Sequence, residues 1–339
     1  MTTAGTQPGS ASATGRFGPH VLELDCAAEV DRICAWMVDA VANRLHRRGV
    51  IIAMSGGIDS SVCAALAVRA FGRKVFGILL PERDSSHKSA DRGYLVAEHL
   101  GITHELQDIA PALEAIGCYR QRDEAIRKLF PAYDDTWKSK LAIAGGAQGG
   151  INFFKLIVQS PDGELHEARL PIREYLQIVA ATNHKQRIRK TVEYYHADRL
   201  NYAVIGTPNR LEYDQGFFVK NGDGSADIKP IAHLYKTQIY ALARHLGLPD
   251  EVCNSTPTTD TYSLVQGQDE FYFALPYDRM DLALWAKNHG VSAAEAAPVL
   301  GVSEEHATFI FNDIDAKRRT THYLHARPLL VEPVKELEV

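Results

Sequence analysis

Disulfide-forming and zinc-binding patterns are missing from this chain. Its five cysteines, Cys26, Cys34, Cys63, Cys118 and Cys253, are scattered with no CxxC pair. That spacing argues against a zinc knuckle or a disulfide framework and fits a reducing, cytoplasmic setting. No apolar run approaches a membrane-spanning length, and the first residues hold no hydrophobic stretch of a signal peptide. A basic excess is absent too: the formal net charge is -5, whereas a general nucleic-acid surface needs surplus Lys and Arg to neutralise phosphate. What remains is an ordinary globular composition, 45% hydrophobic and 23% charged over 339 residues, with ample material for a large core.

The most informative stretch is Val50 to Ser61. A β-branched apolar run feeds a polar turn, Ser55-Gly56-Gly57, and an alanine- and valine-rich segment from Val62 to Phe71 follows with helical spacing. Strand, phosphate loop and helix is the reading. The glycines let the backbone approach an anion, and Ser60 and Ser61 stand where capping hydroxyls and free helix N–H groups would point at it. Asp59 would repel bare phosphate, so a magnesium ion between them is implied, and with it a metal nucleotide. The lysine that ends a Walker A loop is lacking, which argues against γ-phosphate hydrolysis of the usual kind.

Around this loop the chain alternates. Val30, Ile33, Cys34, Met37, Val38, Val41 and Leu45 recur at helical spacing. Val75 to Leu80 and Thr103 to Ile109 read as strands with a helix between them, and Tyr202 to Gly206 as a further core strand after a basic helix. The fold class expected is therefore α/β, a doubly wound parallel sheet with flanking helices, with ligands beyond the carboxyl ends of the strands. Residues 1–20 read as a disordered tail, 21–325 as one domain and 326–339 as a C-terminal tail. Within the domain, about 130–175 reads as an insertion: Phe153 to Gln159 and Glu164 to Leu170 flank Pro161-Asp162-Gly163 as a β-hairpin. The run Gly145 to Gly150 reads as a flexible connection rather than a phosphate cradle. The basic face Lys185, Arg187, Arg189 and Lys190 reads as solvated.

Ser55-Gly56-Gly57-Ile58-Asp59-Ser60 resembles the SGGxDS pyrophosphate loop of the N-type ATP pyrophosphatases. Gly206-Thr207-Pro208-Asn209-Arg210-Leu211-Glu212, Gly216-Phe217-Phe218, Lys220, Gly222-Asp223-Gly224, Asp227, Pro230-Ile231 and Leu234 to Gln238 resemble the NAD synthase family within that group. Asn183 with Arg187 and Arg189, Pro257 to Asp260, Gln268 to Glu270 followed by Tyr277 and Asp281, and Lys317-Arg318-Arg319 extend the likeness from about residue 30 to about residue 320. The resemblance implies an adenine nucleotide alpha hydrolase-like fold and an ammonia-dependent ligase that turns deamido-NAD, ATP and ammonia into NAD, AMP and pyrophosphate through an acyl adenylate. It also implies a homodimer, with ammonia free or delivered by a separate glutaminase.

By the same resemblance ATP would meet Ala53, Met54, Ser55, Gly56, Gly57, Ile58, Asp59, Ser60, Thr207, Lys236 and Thr258. Magnesium would meet Asp59 and Glu212. Deamido-NAD would meet Arg187, Lys220, Asp223, Asp227 and Lys317, while Asp59 and Lys236 carry the chemistry. Each has an ordinary alternative: Glu212 a helix-start carboxylate, Thr207 and Thr258 caps, Lys236 and Arg187 surface charges, Asp223 part of a glycine turn, Lys317 the polar end of a helix. Departures from the family pattern gather on the acyl side, where Arg210 replaces a common lysine and Thr258-Thr259 depart from the usual serine-alanine. An amide ligase of the same fold adenylating a different carboxylic acid therefore stands as the alternative, and a silent nucleotide-binding regulator as a third reading.

Overall fold

The computed structural model describes residues 17–144, 153–255, 262–264, 275–334 and 336. Four strands form a parallel sheet: β1 (Val50–Ala53), β2 (Val75–Leu79), β3 (Thr103–Leu106) and β7 (Ala203–Val204), in the order β3-β2-β1-β7. Val50 sits opposite both Val75 and Ala203, and Phe76 opposite Thr103. The strand order reverses between β1 and β7. In an open α/β sheet that reversal opens a crevice at the strands' carboxyl ends.

Why these segments take their forms follows from their side chains. Val50, Ile51 and Ile52 are fully buried, as a strand covered on both faces requires. Helix α2 (Ile58–Phe71) is apolar nearly all round, with Val62, Cys63, Ala64, Leu66 and Ala67 fully buried. Its small side chains let it lie between the sheet, α1 (Cys26–Val38) and α8 (Lys236–His245). Helix α1 runs on into a wider π turn (Asp39–Arg44), and its Val30, Ile33 and Met37 close the same core. Helices α3 (His87–His99), α4 (Ala110–Ala115), α5 (Cys118–Arg127) and the long α6 (Ile172–Leu200) complete the layers. Each fully buried Val, Leu or Ile side chain contributes about 1.5–3 kcal/mol to this packing.

The expected hairpin is present as β5 (Phe153–Gln159) and β6 (Leu165–Arg169), turning at Gly163. A third strand, β4 (Lys138–Ala144), pairs antiparallel with β5 and was not expected. Its burial alternates, with Ser139 and Leu141 buried and Lys138, Lys140 and Ala142 more exposed, but its residue types do not, since a serine holds one of the buried positions. Leu141, Leu156 and Val158 form a satellite core with Ile126, Tyr133 and Ile178.

A second core, also unforeseen, joins α7 (Arg210–Gln215) to α10 (Tyr277–Asn288), α11 (Ala293–Leu300) and α12 (Glu304–His325). Between α8 and this group stands the short α9 (Asp250–Cys253). Phe17 stacks on Trp285 at 5.8 Å, and a 3-10 turn (Pro19–Leu22) packs Val21 and Leu22 on the same core. The N-terminal tail read as 1–20 is thus corrected at its inner end, because Phe17 is an apolar anchor. Residues 1–16, Gly145 to Gly150, Pro257 to Asp260 and Gln268 to Glu270 lie outside the described residues. After His325 residues 326–334 carry neither helix nor strand. No described helix is long and apolar enough to cross a membrane.

Candidate active site

Strand β1 delivers its last residue into a turn that only glycine fits. Gly56 has φ +73, and a Cβ there would lie 2.3 Å from the Ser89 carbonyl oxygen and 2.9 Å from the Gly93 nitrogen. Helix α3 is therefore pressed against the loop. Gly57 then takes an extended conformation as N-cap of α2, whose first-turn N–H groups lack intrahelical acceptors and favour an anion. The serines are partly turned inward: the Ser60 and Ser61 hydroxyls both donate to the Gly57 carbonyl at 2.9 Å, and Ser55 Oγ lies 2.9 Å from Ser60 Oγ. Ser61 is 2% exposed, which corrects its expected role as a hydroxyl offered to the ligand.

Across the switch point, β7 leads through Thr207 to α7. Asn209 caps α7 reciprocally with Glu212: Glu212 N–H donates to Asn209 Oδ1 at 3.1 Å, and Asn209 N–H to Glu212 Oε2 at 3.2 Å. The free amide of Asn209 donates to Asp59 Oδ1 at 3.2 Å, which ties the two strand ends together. Asp59 Oδ2 accepts from the ammonium of Lys236, a side chain only 2% exposed. Burial alone would pull that lysine's pKa down, but the charges of Asp59 and Glu212 outweigh it and hold it well above the ordinary value. Lys236 opens α8, where the backbone N–H groups of Lys236 and Thr237 donate to Asp281 at 3.2 and 2.7 Å. Burial pushes Asp281 up to about 7 despite those donors.

A cavity of about 800 Å³ opens over this arrangement. Of the residues singled out in the sequence, Ala53, Met54, Ser55, Gly57, Asp59, Ser60, Thr207, Glu212, Asp223 and Lys317 line it. Gly56 and Ile58 shape the loop from behind, both buried. Lys236 does not reach the surface; it sits beneath Asp59. Three residues expected on the acyl side are not in the cavity wall, and each has another partner. Lys220 Nζ donates to the Tyr323 carbonyl at 2.7 Å, tethering α12. Asp227 accepts from Val204 N–H at 2.7 Å, and Arg187 is exposed with Nε 3.3 Å from the Lys220 carbonyl. Thr258 lies outside the described residues.

Asp223 accepts from Val219 N–H at 2.8 Å, and burial raises its pKa. Lys317 pairs with Asp313 one helical turn away at 2.7 Å, and burial lowers its pKa. The cavity also takes in Arg189, Lys190 and Glu193 of α6, which were read as part of a solvated basic run or not singled out. Lys190 donates to Glu193 at 2.7 Å with both buried. Lys185, on the same run, is 1% exposed and paired with Glu82 and Asp84 at 3.0 and 2.6 Å. Only Arg187 of the four is exposed, so the solvated reading of that face is corrected. Asn209 was legible as a cap three residues before an acidic residue. Nothing local marked Lys185 as buried, since its partners are Glu82 and Asp84, while Lys190 pairs with Glu193 three residues on in the same helix.

A hard divalent cation fits the donors at this site. Asp59 and Glu212 are carboxylates at adjacent strand ends, and among the described residues no group of three or more His, Cys, Asp or Glu could hold a metal alone. Carboxylate oxygens are the donors such a cation takes, and in this structure both Asp59 oxygens accept from Asn209 and Lys236.

Comparison with known proteins gives one family. The NAD synthase family model matches residues 29–131 and 151–323. An NH3-dependent NAD(+) synthetase of Mesorhizobium japonicum is 57% identical over 318 residues, 93% of this chain and 100% of that protein. Two solved structures share the fold: an NMN synthetase from Francisella tularensis, with TM-score 0.62 and 22% identity, covers 92% of this chain and all of its own. An NH3-dependent NAD synthetase from Campylobacter jejuni has TM-score 0.60 and 19% identity over 91% of this chain and all of its own. The break in the family match, 132–150, contains β4.

Proposed function

Since this chain belongs to the NAD synthase family, we propose that it is an ammonia-dependent ligase that makes NAD, AMP and pyrophosphate from deamido-NAD, ATP and ammonia. The observation that carries this reading is the joining of the glycine loop to Asp59, Asn209 and Glu212 across the sheet's switch point, under one cavity.

ATP would lay its β and γ phosphates on the loop and the first turn of α2, where backbone N–H groups point outward without reorganising. Asp59 and Glu212 would hold Mg²⁺, which neutralises phosphate charge when bound. Lys236 keeps its proton under the two carboxylates, so it supplies a fixed positive charge to the departing pyrophosphate rather than acid-base work. The substrate carboxylate attacks the α-phosphorus; the α–β bridging bond breaks and pyrophosphate leaves. Ammonia then adds to the acyl carbon, AMP departs, and one proton is lost from nitrogen to leave the amide. No protein nucleophile is used, and Cys63, the cysteine nearest the loop in sequence, is fully buried with its thiol pKa raised by burial.

Asp223 and Lys317 line the cavity and would hold the deamido-NAD side. Arg187, Lys220 and Asp227 would act there only from another subunit or after rearrangement, which agrees with a homodimer that places the acyl substrate near its interface. Ammonia would be taken free or from a separate glutaminase. The test is pyrophosphate and AMP release with ATP, Mg²⁺ and ammonium across candidate acids. Turnover with deamido-NAD supports the reading; turnover only with another acid replaces it, and turnover with glutamine in place of ammonium refutes the ammonia dependence.

A further inference from the structure

The antiparallel sheet of β4, β5 and β6 does more than pack. On β5, Phe154, Leu156 and Val158 share a face because alternate residues of a strand point the same way. Leu156 and Val158 are 1% and 0% exposed in the satellite core, whereas Phe154 at the strand's start is half-buried and lines the cavity. Its ring stacks on Tyr175 at 3.9 Å with an interplanar angle of 17°. Tyr175 and Tyr262 also line the cavity, from α6 and from beyond α9. At the other end of the same α6 wall, Arg189 donates to the Leu80 carbonyl and Ser85 Oγ, both at 3.3 Å, where β2 leaves the sheet. From Tyr175 to Arg189 the helix rises about 21 Å. The cavity therefore has a polar end at the strand tips and an aromatic end under the β4-β5-β6 sheet.

We propose that Phe154, backed by Tyr175, is a stacking surface for the flat heteroaromatic base of a nucleotide substrate, so that the β4-β5-β6 sheet is a specificity element of the site. Aromatic side chains attract offset flat rings through dispersion and their quadrupole, and they do so with little regard to which base is presented. A pair already stacked is held in place before the ligand arrives and loses little side-chain freedom on binding. The inference rests on the nucleotide substrates proposed above. ATP and deamido-NAD both carry such rings, and kinetics separate them.

The experiment measures KM for ATP and KM for deamido-NAD separately in the full chain, in Phe154→Leu and in Phe154→Tyr. Leucine keeps most of the apolar volume and removes the ring. In Phe154→Leu one of the two KM values should rise about fivefold or more, with kcat and the other KM within about twofold, and tyrosine should restore it. A rise for ATP assigns the ring to its adenine; a rise for deamido-NAD assigns it to that substrate. Two unchanged KM values overturn the proposal, and so does a parallel rise in both accompanied by a lower melting temperature, which would mark Phe154 as packing alone. If the wild-type protein makes no AMP with deamido-NAD, the functional reading has failed independently of residue 154. Equilibrium binding of ATP to wild type and Phe154→Leu then decides the stacking, and equal affinities overturn it.

Discussion

The two ends of the cavity are built in different ways. At the polar end, Ser55 to Ser60 follow β1 and Thr207 to Glu212 follow β7 within a few residues of the strand tips, and Lys236 joins them from the start of α8. Its polar atoms answer one another directly, Asp59 to Asn209 and Lys236, Asn209 to Glu212. At the aromatic end, the wall is assembled from α6, the β4-β5-β6 sheet and α12, segments separated by long stretches of chain. Local geometry makes the first end; tertiary packing makes the second. A site made of turns at neighbouring strand tips is specified by a few short stretches, while a site made of distant helices depends on which of their faces meet.

The sharpest way to break this contrast is at its polar end. Asp59→Asn removes a negative charge that both holds the proposed Mg²⁺ and compensates buried Lys236. NAD formation should fall by about 10²–10³-fold, the cost of losing one preorganised electrostatic group. A loss under tenfold in steady-state assays would place the chemistry elsewhere.

Gly56→Ala tests the turn itself. With φ +73 and a Cβ 2.3 Å from a backbone oxygen, the loop must shift. The variant should unfold with about 1–3 kcal/mol less stability in urea titrations, and it should bind ATP more weakly. Wild-type stability would mean that α3 does not press on the loop in solution.

Next in size is a pH effect from the support of Lys236. Asp281 is pushed up to about 7 in the folded protein from an ordinary 3.8. Folding therefore takes up a proton between those values, so its contribution to stability is fully present below pH 4 and is lost as pH rises through 7. Asp281→Asn should flatten the fall in stability between pH 4 and 7, measured by urea unfolding at several pH values; an unchanged slope would assign it to other groups. The smallest effect should come from Ser61→Ala. Its hydroxyl bonds only inward to Gly57, so the change should cost about 1 kcal/mol of stability and leave KM for ATP unaltered.

The same contrast explains what was legible in the sequence. The parallel sheet, the loop and the hairpin announce themselves through apolar runs and glycine turns, all of them short-range, whereas Glu212 was singled out only by likeness to a family. The burial of Lys185 could not be read, because a lysine near arginines looks solvated until Glu82 and Asp84 are seen against it. Strand β4 was missed because a Lys-Ser-Lys-Leu run carries little alternation, and its pairing with β5 is what makes it a strand. Lys220 and Asp227 were expected at the substrate by likeness to a family, yet one tethers the end of α12 and the other braces β7. A motif reports which residues recur together, and within one chain their contacts can be structural.

The central claim is that the glycine loop and the carboxylates of two neighbouring strand ends charge a carboxylic acid with adenylate before ammonia enters. Exchange of labelled pyrophosphate into ATP, measured with deamido-NAD and Mg²⁺ but without ammonium, tests it most directly. Exchange should occur in the wild-type protein only when deamido-NAD is present, and it should vanish in Glu212→Gln. Absence of exchange in the wild type, or exchange at an undiminished rate in Glu212→Gln, would contradict the account.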